Sequence, residues 1–178
     1  MLPGISTEQL RSRLNRMVAD GLLTRRRYRE VPPRVDYELT ERARDLLPVI
    51  GALARWGARW AWSEPRADEH VDIGAILRTL PGLALPEEVS GEVEIVVALP
   101  DGAQPKHYLL TASDGRIALS EGPSEHADAR ITGSLRAWID AFGPDAETGG
   151  LELSGDTDLA AALLDALALP GVREAPVA

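Results

Sequence analysis

The sequence predicts an α+β protein in which one helix and a basic hairpin precede an antiparallel sheet covered by helices. Three observations carry that prediction. Residues 4–40 combine an amphipathic helical period with a cationic hairpin, and residues 91–132 hold four strand-like runs joined by turn sequences. Charge also divides between the halves: residues 1–62 carry 12 Lys/Arg against 7 Asp/Glu, and residues 63–178 carry 7 against 21. That change of sign points to a nucleic-acid partner for the first part and an anion-averse body for the second. The overall net charge of −9 hides the division.

Ser6 is placed to cap a helix running to about Asp20, with Gly21 as its stop. Leu10, Leu14, Met17 and Val18 recur at helical spacing and form one apolar stripe, flanked by Ile5 and Leu22. The stripe needs cover that no segment on its N-terminal side supplies. Leu23–Glu30 and Arg34–Thr40 read as two strands joined at Val31-Pro32-Pro33, where the prolines stiffen the tip. Val35, Tyr37 and Leu39 alternate with Asp36 and Glu38, as in a strand with one covered face. One such helix followed by a stiff cationic hairpin is the second half of a winged helix-turn-helix, with its first helices missing.

Thr40 caps a further helical segment, Glu41 to about Trp62, which Pro48 should kink or divide. Its Leu46, Ile50, Leu53 and Trp60, with Trp56, make it too apolar for a linker. Residues 63–70 (SEPRADEH) are polar and mark the domain boundary. A short helix is expected over residues 71–80. Strands follow at 91–99, 106–112, 116–120 and 127–132, with Pro100-Asp101-Gly102 and Asp114-Gly115 as antiparallel turns. A helix over 134–142, a brief strand at 151–153 and a helix from Asp156 or Thr157 to about Leu169 complete the second domain, 71–169, ahead of a tail, 170–178.

Chemistry that the composition excludes is informative. With no cysteine there are no disulfides and no thiolate sites. No apolar run reaches the length of a membrane span and no signal peptide precedes the first helix, so the expected location is cytoplasmic. His70 with Asp68, Glu69 and Asp72 fits no common metal spacing, and His107 and His126 read as isolated strand-surface residues. Gly149-Gly150 is a turn rather than a phosphate loop. No metal, cofactor or catalytic residue is called for, and the chain does not read as an enzyme.

The helix and hairpin carry the strongest chemistry. A helix N-terminus offers N–H groups and short polar side chains to phosphates and base edges. Ser6, Thr7, Gln9, Arg11, Ser12, Arg13 and Arg16 suit that task, and Arg25, Arg26, Arg27, Arg29 and Arg34 of the hairpin would add phosphate contacts. The competing reading is a merely solvated cationic face. In the second half the apolar residues Ile76, Leu80, Val93, Ile95, Val97, Leu110, Ile117, Ile131, Leu135, Trp138, Ile139, Leu153, Leu159 and Leu163 form an aliphatic interior. Residues of this kind are more often core than ligand lining.

Two family resemblances follow from these residues. Leu2 to about Gly57, with PGIS entering the helix, RL within it, DGL leaving it, the wing return PPRVDYELT and the helix LLPVIGALARWG, resembles the HxlR-type winged helix-turn-helix regulators. The resemblance implies a transcription regulator binding operator DNA as a homodimer, with dimer contacts from the helix around Leu46–Trp62. The chain departs from it in lacking the N-terminal helix and the first helix of the motif. Residues 71–169, through the strand meander, ADARITGSLRAWIDAF and GGLELSGDTDLAAALLDAL, resemble the sterol carrier protein type 2 domain. That resemblance implies an apolar cavity between sheet and helices for a lipid or other hydrophobic small molecule, lined by the interior residues named above. The expected function is a DNA-binding regulator whose second domain senses such a ligand. The alternative is a lipid carrier whose winged-helix segment serves only to dimerise.

Overall fold

The computed structural model describes residues 5–28, 34–66, 69, 71–82 and 84–167. The chain forms two compact units, Met1–Leu47 and Pro48–Ala178. The hairpin tip Val31-Pro32-Pro33 and the tail from residue 168 lie outside the described residues.

In the first unit, α1 (Thr7–Ala19) begins at Ser6, whose side chain accepts from the Gln9 backbone N–H while the Gln9 side chain accepts from that of Ser6. This reciprocal cap satisfies two otherwise unpaired donors and is worth about 1 kcal/mol. Two strands, β1 (Leu23–Tyr28) and β2 (Arg34–Leu39), pair antiparallel, with Leu23 opposite Leu39 and Arg27 opposite Val35. Thr40 then caps the single turn α2 (Glu41–Arg44), and its hydroxyl donates to the Gly21 carbonyl, tying the hairpin's exit to its entrance.

This unit has almost no interior. Among its described residues only Leu23 and Ala43 are buried. The stripe on α1 stays uncovered: Leu10 and Met17 are exposed, while Leu14 and Val18 are half-buried.

The expected long helix is divided at residues 45–46, and α3 (Leu47–Trp60) starts afresh. Pro48 sits in the first turn of α3, where its missing N–H has no intrahelical partner to lose. All of α3 after Leu47 falls within the second compact unit.

That unit is built on a five-stranded sheet: β3 (Gly91–Ala98), β4 (Lys106–Ser113), β5 (Arg116–Glu121), β6 (Ala129–Ser134) and β7 (Glu152–Gly155), in the order β5-β4-β3-β6-β7. Helices α4 (Ile73–Leu77), α5 (Leu135–Ala141) and α6 (Thr157–Leu167) complete it. The hairpin between β4 and β5 turns on Asp114 and Gly115, both at positive φ (50° and 69°), the two-residue turn that matches strand twist.

The α+β class is as the sequence predicts, but the sheet is mixed rather than wholly antiparallel: β6 runs parallel to β3, with Val93 opposite Ala129 and Val97 opposite Gly133. The cause lies in residues 122–128. They leave the edge strand β5 and pass across β4 and β3, so that β6 enters beside β3 running in the same direction. Ser124 donates its backbone N–H to Glu94 on β3 along this route.

Val93, Ile95 and Val97 of β3, Tyr108 and Leu110 of β4 and Ile131 of β6 turn one face of the sheet inward, where Ile73, Leu77, Trp138 and Leu163 complete the core. Trp138 is fully buried and donates its indole N–H to the Val96 carbonyl. The opposite face is not simply solvated, because residues 122–128 cross it.

Candidate functional site

The first candidate is the cationic surface of α1 and the hairpin. Arg11, Ser12 and Arg13 are exposed on α1, as are Ser6, Thr7 and Gln9 at its start. Ser6 and Gln9 already spend one oxygen each on the cap, leaving the Gln9 amide N–H₂ for an outside partner. Arg16 lies 3.8 Å from Asp20 in an open pair that costs it little freedom.

The hairpin arginines separate by face. Arg25 and Arg27 share a face with Val35, Tyr37 and Leu39, and Arg25 stands over the Tyr37 ring at 6.0 Å. Arg26 and Arg34 occupy the other face, where Arg26 meets Glu38 at 3.1 Å and Arg34 meets Asp36 at 2.8 Å. The hydrogen bond from Arg34 to Asp36, with their mutual attraction, holds the Arg34 pKa above its ordinary value. Four arginines, Arg11, Arg13, Arg25 and Arg27, therefore present charge that no described carboxylate neutralises. Arg29 lies outside the described residues.

The second candidate is an apolar cavity of about 170 Å³ in the second unit, lined by Gly51, Ala54, Ala58 and Trp62 together with Ile76, Thr79, Leu80, Phe142 and Leu167. Thr79 is its one hydroxyl, and it donates to the Ile76 carbonyl at 2.7 Å, so that hydroxyl has no hydrogen left for a ligand. Small residues make the space: Gly51, Ala54 and Ala58 lie on one side of α3.

Of the expected cavity residues, Ile76 and Leu80 line this space. Val97 and Leu135 instead line a separate apolar recess of about 230 Å³ rimmed by Asp72 and Lys106, and Ile139 faces a polar bay beside Trp62. Val93, Ile95, Leu110, Ile117, Ile131, Trp138 and Leu163 are core. Leu153 and Leu159 are half-buried against that core. The α3 glycine and alanines were missed because small residues carry no hydrophobic signal. Their spacing at i, i+3 and i+7 is the cue that marks them.

A third cluster corrects the sequence reading of His107 as an isolated surface residue. Its Nδ1 lies 2.8 Å from Oε1 of Glu94, a carboxylate only 1% exposed, while Arg130 Nε donates to Glu94 Oε2 at 2.6 Å. Facing an ionised carboxylate, Nδ1 carries the ring hydrogen. Burial raises the Glu94 pKa, but the hydrogen bonds from His107, Arg130 and the Ser124 N–H outweigh it, leaving the pKa below the ordinary carboxylate value. The alternation of β3 shows which face Glu94 occupies; what covers it comes from a segment thirty positions later. Among the described residues no group of acidic and histidine side chains is arranged to hold a metal. Asp68 and His70 lie outside the described residues.

Comparison with known proteins fits the first candidate. Residues 1–65 match the family described as HxlR-like helix-turn-helix, a span running from α1 through α3. The chain is similar to an HTH-type transcriptional regulator of Synechocystis, 43% identical over 63 residues, covering 35% of this chain and 47% of the relative. It is 44% identical over 55 residues to another from Halalkalibacterium halodurans, covering 31% of this chain and 49% of that one. The chain thus spans about half the length of the curated relatives it matches. The C-terminal region is similar to sterol carrier protein domain 2 of Helicoverpa armigera, at 17% identity and TM-score 0.46, covering 65% of this chain and all of that one.

Proposed function

From an N-terminal segment that is HxlR-like helix-turn-helix, we propose that this chain is a DNA-binding transcription regulator, acting as a homodimer and carrying a second unit that senses a hydrophobic small molecule. The observation that supports the DNA contact most directly is the set of exposed arginines, Arg11, Arg13, Arg25 and Arg27, that have no carboxylate partner among the described residues, on a capped helix and its adjoining hairpin. Phosphate contacts by such groups set affinity, and the polar residues at the start of α1 are placed for base edges. The test is titration of the full chain with duplex fragments from around its own gene. Tighter binding to one of them than to a shuffled duplex of equal length is expected; equal affinity for both at every salt concentration would overturn the regulator reading.

Dimerisation draws support from α3. Val49, Leu53 and Trp56, exposed by 63%, 64% and 57%, recur at i, i+4 and i+7 on the side opposite Gly51, Ala54 and Ala58. A helix with apolar residues on two opposite sides has one face for its own unit and one for another chain. Leu53→Glu is expected to shift the protein to monomer at micromolar concentration in sedimentation velocity, with the far-ultraviolet circular dichroism unchanged. A dimer that persists in L53E places the seam elsewhere.

The apolar cavity supports the ligand-sensing part. Because α3 walls that cavity and carries the exposed stripe, occupancy would act on the same helix that joins the protomers. Such coupling is reciprocal: operator DNA must change ligand affinity by the factor by which ligand changes DNA affinity. The cavity equally suits a carrier whose first unit only dimerises, and the shuffled-duplex comparison separates the two.

A further inference from the structure

Immediately beside the apolar cavity lies a bay of about 240 Å³ whose lining includes Trp62, Arg136, Glu64, Asp140, Asp145 and Glu147. Trp62 lines both spaces. The ring lies close over Gly143, with Cζ2 3.3 Å from where a β-carbon would stand, so even an alanine there would press on it.

The bay holds four carboxylates against one guanidinium. Arg136 is fully committed, donating to Glu64 at 2.7 Å and to Asp140 at 3.0 Å. Asp145 and Glu147 have no ion-pair partner among the described residues. The apolar cavity makes this more than a cluster of acids: a space lined by hydrocarbon and a bay rich in carboxylates share one aromatic wall, Trp62. An anionic amphiphile would bring like charge to that wall, and a neutral one would leave the carboxylates unanswered.

We propose that this composite site takes a cationic amphiphile, its apolar body beneath α3 and its ammonium head against Trp62, Asp145 and Glu147. The inference rests on reading the apolar cavity as a ligand site and adds the ligand's charge class. A cation against an aromatic face and two exposed carboxylates gains from both. The attraction weakens with added salt, because the carboxylates are open to water.

Isothermal titration of the full chain with octyltrimethylammonium, octanol and octyl sulfate, all below micelle formation, tests it. The expected order is ammonium tightest, by about tenfold over octanol, with sulfate weakest. Asp145→Asn with Glu147→Gln should abolish the ammonium preference and leave octanol binding unchanged. The equally charged control Glu87→Gln with Glu88→Gln should alter neither. If octanol matches the ammonium compound, or the preference survives D145N/E147Q, the charge class is wrong and the cavity reading stands. If none of the three binds, the cavity reading falls with it.

Discussion

Replacing Arg25 and Arg27 together with alanine is expected to weaken binding to duplex DNA roughly thirtyfold at physiological ionic strength. Each phosphate neutralised by a cation releases condensed counterion and contributes about −0.9 to the slope of log affinity against log salt. Loss of two contacts should therefore make that slope shallower by about two. Arg26→Ala and Arg34→Ala should each change affinity far less, since Glu38 at 3.1 Å and Asp36 at 2.8 Å already offset those charges. The contrast is the informative part. Equal losses from all four substitutions would mean that net charge alone governs the interaction and that the face bearing Arg25 and Arg27 has no special role. Fluorescence anisotropy with a labelled duplex over a salt series reads both affinity and slope.

Glu94→Ala is expected to destabilise the second unit by about 3 kcal/mol, the low end of what breaking a buried ion pair costs. The discount reflects exposure of the partners, since the side chains of Arg130 and His107 are 51% and 29% exposed and regain water when the carboxylate is lost. All four tryptophans lie in this unit, so their emission in urea follows its unfolding. A carboxyl whose folded pKa lies below its unfolded one contributes stability above the unfolded value and loses it as pH falls through the folded one. The wild-type unit should therefore weaken below about pH 4.5, starting from the ordinary glutamate range. Glu94→Gln should be less stable at neutral pH and should show a flatter decline in acid. An unaltered acid slope in E94Q would show that Glu94 is not the group responsible.

Local signals in the sequence were enough where structure is local. The cap at Ser6, the cap at Thr40, the division of the helix near Pro48 and the Asp114-Gly115 turn each follow from a few adjacent residues and a known backbone requirement. Strand alternation likewise assigned Val93, Ile95 and Val97 to one face. It could not say which strand lies beside β3. That depends on the path of residues 122–128, which have no periodicity of their own, and the parallel β3–β6 pair was therefore not legible. Burial of Glu94 and its contact with His107 follow from the same path. The stripe on α1 was legible as a surface in need of cover, and it remains open in the first unit; the identity of the cover is a property of another surface. Of the large aliphatic residues expected around a cavity, Ile76 and Leu80 do line one, and Gly51, Ala54 and Ala58 on its other side leave the room.

The crossing of residues 122–128 also bears on the order in which the second unit can assemble. β3, β4 and β5 are joined by short turns and pair with sequence neighbours, so their meander closes small loops at little entropic cost. β6 must find β3 across a separation of 36 positions, as the bond between Glu94 and Arg130 records. Until it does, β3 has one unpaired edge and Glu94 has no guanidinium beside it. Late docking of β6 and β7 would then finish the sheet and neutralise that carboxylate in one step. Core substitutions in β4 should slow refolding, whereas those in β7 should chiefly speed unfolding.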